Sequence, residues 1–288
     1  MTTLNETYTL SNGVEIPKLG LGTWMIEDND VAEAVRKAVD LGYRHIDTAQ
    51  AYQNERGVGE GVGSASVPRD QLFVTTKLDA GIKDYDGAKA AIDASLETMG
   101  LDYIDLLIIH SPQPWENFAG EDRFFEGKLA AWKAMEEAYE AGKLRAIGVS
   151  NFEKQDLENL LENAKVKPMR DQILAHVSNT PFELIDFIQG NDMLAEAYSP
   201  IGHGEVLDNE EIKGIAGKYG VSVPQLCIRY LLQLGLLPLP KTGNPDHMKS
   251  NADVDFTISD ADMGALRNAT PIADYGDASV FPVFGGKM

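Results

Sequence analysis

Short apolar segments, each followed by a longer amphipathic segment, recur eight times along this chain. The apolar segments have the length of buried β-strands, and the amphipathic segments have the spacing of helices that pack one face against a sheet. This alternation predicts a parallel sheet, and eight repeats predict a closed (β/α)8 TIM barrel. The predicted strands cover residues 18–22, 44–47, 72–77, 104–109, 144–149, 169–174, 193–198 and 236–240, and the clearest helices cover residues 29–41, 55–63, 87–100 and 128–142.

An open, doubly wound sheet is the structural alternative that such alternation also allows. A nucleotide site in that fold needs the pattern Gly-x-Gly-x-x-Gly directly after the first strand. The first strand here leads instead into LGLGTW at residues 19–24, which lacks this pattern. The barrel is therefore favoured.

The residues before the barrel predict a β-hairpin, because two short strands flank Asn12-Gly13, a dipeptide that suits a tight turn. With 288 residues, 43% hydrophobic content and no linker, we expect a single barrel domain over residues 1–288. The apolar stretches are too short to cross a membrane and the first residues are no secretory signal, so we expect a cytoplasmic protein. The single cysteine, Cys227, can form no internal disulfide and is expected to pack in the core.

The net charge of −20 and the pI near 4.5 describe a strongly acidic surface. Such a surface repels nucleic-acid phosphates and anionic lipid, so neither nucleic acid nor a membrane is expected as a partner. It would also slow an anionic ligand unless positive charge is concentrated at the binding site. Lys241 therefore becomes a candidate for phosphate binding.

Polar residues stand at the ends of three predicted strands. Asp47 closes the second strand, Lys77 ends the third, His110 follows the fourth, and Tyr52 lies five residues after Asp47. In a parallel barrel the carboxyl ends of the strands share one rim, so these side chains should meet there. Singly, each has an ordinary structural explanation, such as a cap, a packed ring, a solvated lysine or a hydrogen-bonded core histidine. Together they favour an active site.

The chemistry that this set suggests is proton donation to a carbonyl. A phenol has a pKa of about 10, which a neighbouring cation would lower, and a carboxylate would hold that cation in place. In order and context, the four residues resemble the catalytic tetrad of the aldo-keto reductases. The resemblance continues through GKLRAIGVSNF at residues 142–152, AYSPIG at 197–202 and LPKTGNP at 239–245.

This resemblance implies a carbonyl reductase whose catalytic residues are Asp47, Tyr52, Lys77 and His110. Tyr52 would donate the proton, Lys77 would lower the pKa of Tyr52, Asp47 would hold Lys77, and His110 would orient the carbonyl oxygen. No metal is implied, and the sequence shows no His, Cys and Asp cluster at ligand spacing.

The resemblance also implies a nicotinamide nucleotide as cofactor. Ser150, Asn151 and Gln172 would hydrogen-bond the nicotinamide carboxamide, and Tyr198 would stack on its ring. The remaining implied cofactor contacts are Gly22, Thr23, Trp24, Ser199, Ile201, Gly202, Lys241, Thr242, Gly243, Asn244, His247 and Asn251.

The segment PDHMKSN at residues 245–251 departs from the family pattern. His247 stands where the family carries an arginine that meets the adenosine 2′-phosphate, and Ser250 stands in place of a glutamate. Loss of the guanidinium weakens selection for the 2′-phosphate, whereas Lys241 and Thr242 remain as phosphate contacts. We therefore expect NADPH as the preferred cofactor and NADH as an alternative.

The expected partner is a small-molecule carbonyl compound. Its pocket should be lined by Trp24, Tyr52, His110 and Trp115, with Phe118 close by and Ser111 where the family commonly has tryptophan. A mainly apolar mouth suits small aldehydes, ketones or dicarbonyls, and the bacterial 2,5-diketogluconate reductases add sugar acids as candidates. We expect a monomer or a weak dimer.

Two other functions are compatible with such a chain. A barrel lyase could use Lys77 as a Schiff-base nucleophile, but this requires a neutral amine, and Asp47 should keep Lys77 protonated. A sensor could bind the nucleotide without turnover, but an intact tetrad argues against it.

Overall fold

The computed structural model describes residues 2–118 and 120–286, and within them eight parallel strands form the predicted barrel. A hairpin of β1 (Thr7–Thr9) and β2 (Glu15–Pro17) precedes it. The barrel strands are β3 (Gly20–Gly22), β4 (His45–Asp47), β5 (Phe73–Leu78), β6 (Ile104–Ile109), β7 (Leu144–Ser150), β8 (Arg170–Leu174), β9 (Leu194–Tyr198) and β10 (Leu237–Leu239). The strands pair in chain order, and a parallel bridge between Gly22 and Lys241 closes the ring. The barrel and hairpin predictions are confirmed.

Ten helices surround the strands in the part of the chain that the structure describes: α1 (Asp28–Asp40), α2 (Glu55–Gly63), α3 (Tyr85–Met99), α4 (Phe125–Glu140), α5 (Lys154–Asn163), α6 (Phe182–Gly190), α7 (Glu210–Tyr219), α8 (Val223–Gln233), α9 (Pro245–Ala252) and α10 (Asp260–Arg267). Cys227 is buried on α8, as expected. Across the described residues, no helix combines the length and apolar character that crossing a membrane requires.

Local sequence explains why these helices begin and pack where they do. Asp84 accepts a hydrogen bond from Gly87 N and so caps α3, while Ser222 and Gln225 form a capping box at α8. In α2, a Cβ at position 57 would collide with the Asp28 carbonyl of α1. The glycine there permits close helix packing despite its low helix propensity.

The hairpin covers the amino-terminal end of the barrel. Leu10 and Ile16 are buried, and Asn12 donates to the Arg145 carbonyl, at the start of β7, at 2.9 Å. The Tyr8 hydroxyl donates to the Leu236 carbonyl, just before β10, at 3.2 Å. This end is therefore packed, and the functional loops lie at the opposite, carboxyl-terminal end.

A carboxyl-terminal segment lies across that opposite end. It contains short 3-10 helices at Gly276–Val280 and Pro282–Phe284. Tyr275, Ala278 and Phe284 form a small apolar cluster with partly buried neighbours that include Trp24 and Tyr198. The segment thus forms part of the wall around the barrel mouth.

Candidate active site

Lys77 and Asp47 form a buried ion pair on neighbouring strands of the barrel. The Lys77 side chain is fully buried, and its Nζ donates to Asp47 Oδ1 and, at 2.8 Å, to the Thr48 carbonyl. Burial lowers the pKa of Lys77, and the Asp47 carboxylate opposes that shift. Because β5 runs to Leu78, Lys77 lies within its strand, not at the end of it as the sequence suggested.

Tyr52 lies above this pair on a short 3-10 helix, Gln50–Tyr52, that follows β4. The Lys77 ammonium lies 4.9 Å from the centroid of the Tyr52 ring. Burial, and next the charge of Asp47, raise the pKa of Tyr52 well above its usual value. The sequence led us to expect a lowered pKa. The direction is reversed because the Lys77 hydrogen bonds go to Asp47 and Thr48 and because desolvation favours the neutral phenol.

His110 completes the set next to Tyr52. The two rings are 5.7 Å apart at 75°, and Trp115 packs on the other side of His110 at 5.1 Å. Burial, with Lys77 nearby, lowers the pKa of His110 well below its usual value, so the imidazole is neutral at pH 7. Its Nδ1 is buried without a hydrogen-bond partner among the described residues, which leaves Nε2 as the nitrogen available to a ligand.

A second group of polar side chains comes from the ends of β7 and β9 and, with Gln172, from the middle of β8. The Tyr198 hydroxyl donates to Asn151 Oδ1 at 2.7 Å, and Asn151 Nδ2 donates to Ser150 Oγ at 3.1 Å and to the His110 carbonyl at 3.0 Å. The Gln172 nitrogen Nε2 donates to Asp47 Oδ2 at 3.0 Å, which joins this group to the ion pair. Both groups therefore belong to one connected site.

The two groups share a cavity of about 470 Å³ at the carboxyl-terminal mouth of the barrel. Most of the predicted site residues line it: Gly22, Trp24, Asp47, Tyr52, His110, Trp115, Ser150, Asn151, Gln172, Tyr198, Ser199, Ile201 and Lys241. Lys77 lies directly behind the wall.

Other predicted residues do not line this cavity. Thr23 is fully buried, and its hydroxyl donates to the Asp47 carbonyl at 2.9 Å. The predicted residues Gly202, Thr242, Gly243, Asn244, His247 and Asn251 lie outside its lining. Asn244 caps α9 by accepting from Asp246 N at 2.9 Å, and His247 is exposed on the first turn of that helix. The segment that follows Lys241 is therefore a separate surface beyond the cavity.

Several wall residues were missed from the sequence. They are Met25, Ala51, Pro200, His203, Leu239 and the segment Phe281, Pro282, Val283 and Phe284. The apolar run FPVF at residues 281–284 could have signalled the last group, since an exposed tail is otherwise polar. His203 has no such signal, because its ring contacts with Trp24 at 5.4 Å and Phe284 at 4.7 Å depend on tertiary folding.

Backbone strain is concentrated at the same cavity. Four of its lining residues other than glycine have a positive φ: Met25 at 57°, Asn151 at 60°, Ser199 at 51° and His203 at 55°. A positive φ is uncommon for residues other than glycine, although asparagine and histidine adopt it more readily, and such outliers cluster at functional sites.

Known proteins resemble this chain over most of its length. A model of the aldo/keto reductase family matches residues 18–270. The chain is 42% identical to glyoxal reductase of Bacillus subtilis, covering 92% of this chain and 93% of that protein. It is 40% identical to the 9,11-endoperoxide prostaglandin H2 reductase of Trypanosoma cruzi, covering 88% of each chain.

Solved structures show the same fold. An aldo-keto reductase from a Medee basin deep-sea metagenome library superposes with a TM-score of 0.85 at 38% identity, covering 91% of this chain and 94% of that one. The Bombyx mori aldo-keto reductase, solved in complex with NADP, gives a TM-score of 0.85 at 33% identity, covering 95% of each chain.

Proposed function

We propose, since this chain belongs to the aldo/keto reductase family, that it reduces small aldehydes and ketones to alcohols with Tyr52 as the proton donor. The observation that carries the proposal is the convergence of Tyr52, His110 and the Lys77–Asp47 pair at one cavity. The raised pKa of Tyr52 keeps the phenol protonated at pH 7, as a donor must be.

Each side chain has a defined part in this reaction. Tyr52 transfers its hydroxyl proton to the oxygen of the former carbonyl as that oxygen gains negative charge. The Lys77 ammonium beside the ring stabilises the phenolate that remains, and Asp47 keeps that ammonium charged and in place. His110, being neutral, offers Nε2–H to the same oxygen and orients the carbonyl group.

The cavity wall fits a nicotinamide nucleotide. Gln172 Oε1 accepts no hydrogen bond among the described residues, and Ser150 and Asn151 add hydroxyl and amide groups beside the Tyr198 ring. These groups would hold a carboxamide on a flat ring, which needs both donors and acceptors. When bound, the reduced nucleotide supplies the hydride that joins the carbonyl carbon.

We propose NADPH as the preferred nucleotide, with NADH accepted. Lys241 at the cavity rim supplies a positive charge, and the amino terminus of α9 that follows it favours a phosphate. His247 on the first turn of α9 is exposed and lacks the permanent charge of arginine. The preference for the 2′-phosphate should therefore be moderate.

The wall composition supports a small neutral carbonyl substrate. Trp24, Trp115, Phe281 and Phe284 contribute large apolar rings to the wall. Among the described residues that line the cavity, Lys241 is the sole lysine or arginine, so a sugar acid would find few charge partners. Small aldehydes and dicarbonyls fit this wall better.

The test is the loss of absorbance of NADPH and of NADH with a panel of neutral aldehydes, dicarbonyls and keto sugar acids. We expect turnover with neutral carbonyls and a preference for NADPH. Nucleotide binding without oxidation across the whole panel would favour the sensor function instead. Trapping of a Lys77 adduct by borohydride would favour the lyase, which the buried, doubly hydrogen-bonded Lys77 amine argues against.

A further inference from the structure

A buried ion pair inside the barrel has no part in the function proposed above. Arg170 of β8 and Glu196 of β9 lie on paired strands with fully buried side chains, and a guanidinium nitrogen of Arg170 contacts Glu196 Oε2. Moving two charges out of water is costly, and apolar residues of similar volume often fill such a position at least as stably. The pair therefore needs an explanation beyond packing.

Gln172 connects this pair to the active site. Its Nε2 donates to Glu196 Oε2 at 2.9 Å and to Asp47 Oδ2 at 3.0 Å. Both N–H groups of the amide are thus directed at carboxylates, so the carbonyl oxygen Oε1 is the amide atom left for the cavity that Gln172 lines. A rotated amide would place Oε1 against two carboxylates, which is strongly unfavourable.

The titratable groups that face Glu196 come from three strands, and one of them, His45, is neutral because burial lowers its pKa well below the usual value. Arg170 lies on β8, His45 and Asp47 on β4, and Lys77 on β5. Ligand atoms of His45, Asp47 and Glu196 lie within 4.8 Å of one another, which is a spacing suitable for a metal ion. The two carboxylates are already paired with cations, however, because Lys77 contacts Asp47 and Arg170 contacts Glu196. Burial raises the pKa of Glu196 to about 7, and Arg170 opposes that shift. Arg170 therefore helps a second carboxylate to stay ionised close to Asp47.

We propose that Arg170 and Glu196 are positioning residues that lock the Gln172 amide with its carbonyl oxygen facing the cavity. The lock gives the nucleotide site a fixed acceptor for the N–H groups of the carboxamide. This inference rests on the proposed function and adds two residues that act through Gln172 and touch neither nucleotide nor substrate.

Two double variants separate positioning from packing. Arg170→Met with Glu196→Leu removes both charges and one of the two acceptors of Gln172 Nε2, so that only Asp47 Oδ2 still accepts from the amide. Arg170→Met with Glu196→Gln also removes both charges but keeps an oxygen that can accept from Gln172. Because neither leaves one buried charge unpaired, both should fold, and thermal unfolding followed by circular dichroism checks this.

The readout is the NADPH dissociation constant of each protein, measured by fluorescence titration without substrate. We expect the Leu-containing double variant to bind roughly tenfold more weakly or worse, as loss of one charge-assisted hydrogen bond predicts, and the Gln-containing one to stay close to wild type. Gln172→Leu should weaken binding in the wild type and add little to the Arg170→Met/Glu196→Leu background, because residues acting through one contact are not additive.

Unchanged affinity in both double variants would overturn the proposal, and so would an equal loss in both. If the double variants do not fold, Glu196→Asp keeps the charge but withdraws the carboxylate from Gln172, and unchanged affinity there would also overturn it. The wild type is assayed for NADPH binding and aldehyde reduction in the same series. If the wild type neither binds NADPH nor reduces aldehydes, both the proposed function and this inference are wrong. If the wild type is active and the variants bind NADPH with the same affinity, only the positioning role is wrong.

Discussion

At the scale of single residues, the Tyr52 hydroxyl is the group on which the proposed chemistry depends. Tyr52→Phe should lower kcat for aldehyde reduction on the order of 10²-fold or more, because the acid is deleted while the ring stays in place. The NADPH dissociation constant should remain nearly unchanged. Steady-state kinetics and fluorescence titration measure the two quantities separately.

Tyr103→Phe provides the matched control, since Tyr103 precedes β6 and so lies at the opposite end of the barrel from the cavity. It should leave both quantities unaltered. Near-normal turnover in Tyr52→Phe would remove Tyr52 from the donor role.

We expect a substitution at His247 to change the preference between NADPH and NADH. His247→Arg should raise the preference for NADPH over NADH roughly tenfold or more, because a fixed planar cation can pair with the 2′-phosphate while NADH offers only a hydroxyl. Lys241→Ala should shift the preference the other way. Michaelis constants for both nucleotides at fixed ionic strength decide this, and equal changes for the two would show that neither side chain contacts the 2′-phosphate.

The position of a residue at the barrel rim could be predicted from the sequence where that residue stands at the end of a strand. Asp47 and His110 could be placed because parallel strands share one rim. The burial of Arg170 and Glu196 could not be predicted in this way. Charged residues within a strand normally indicate a face exposed to solvent, and both side chains point inward only because the barrel closes. The rise in the Tyr52 pKa was missed for a related reason, since desolvation depends on the complete fold.

At the scale of elements, the carboxyl-terminal segment should control how tightly substrates are held. Phe281 packs on Trp24 with ring centroids 5.0 Å apart and lines the cavity. Phe281→Ala should raise the KM for aromatic aldehydes several-fold, because apolar wall surface is lost, and should change kcat little. A kinetic comparison with glyoxal, which needs less wall contact, should show a smaller effect.

Val280→Ala is the matched control in the same segment, because Val280 is 62% exposed and lies outside the cavity lining. Equal KM values for Phe281→Ala and the wild type would mean that this segment does not contact the substrate.

The repeated elements were predictable because each strand and helix carries its own periodicity. Ile104–Ile109 and Glu55–Gly63 were predicted with their observed bounds, and the other elements shift by one to three residues at an end. The docking of residues 276–284 was not predictable, since short 3-10 turns have no periodic signal and their position is set by contacts with Trp24 and His203.

At the scale of the whole molecule, the charge of −20 should oppose the approach of an anionic nucleotide. Raising the ionic strength from about 0.01 M to about 0.15 M shortens the screening length from about 30 Å to about 8 Å. The association rate constant for NADPH should therefore increase with salt, as stopped-flow fluorescence can measure. Lys241→Ala should lower that rate further at low salt. A rate that falls as salt rises would show that local positive charge dominates the approach.

Cys227 is the only thiol in this chain, and it is fully buried on α8. Burial raises the pKa of its thiol to about 12, so the nucleophilic thiolate is scarce at neutral pH. Aldehydes and dicarbonyls are electrophiles that form adducts with accessible thiols. The chain therefore presents no accessible thiol to such electrophiles, and the carbonyl compounds proposed as its substrates cannot form a thiol adduct with it.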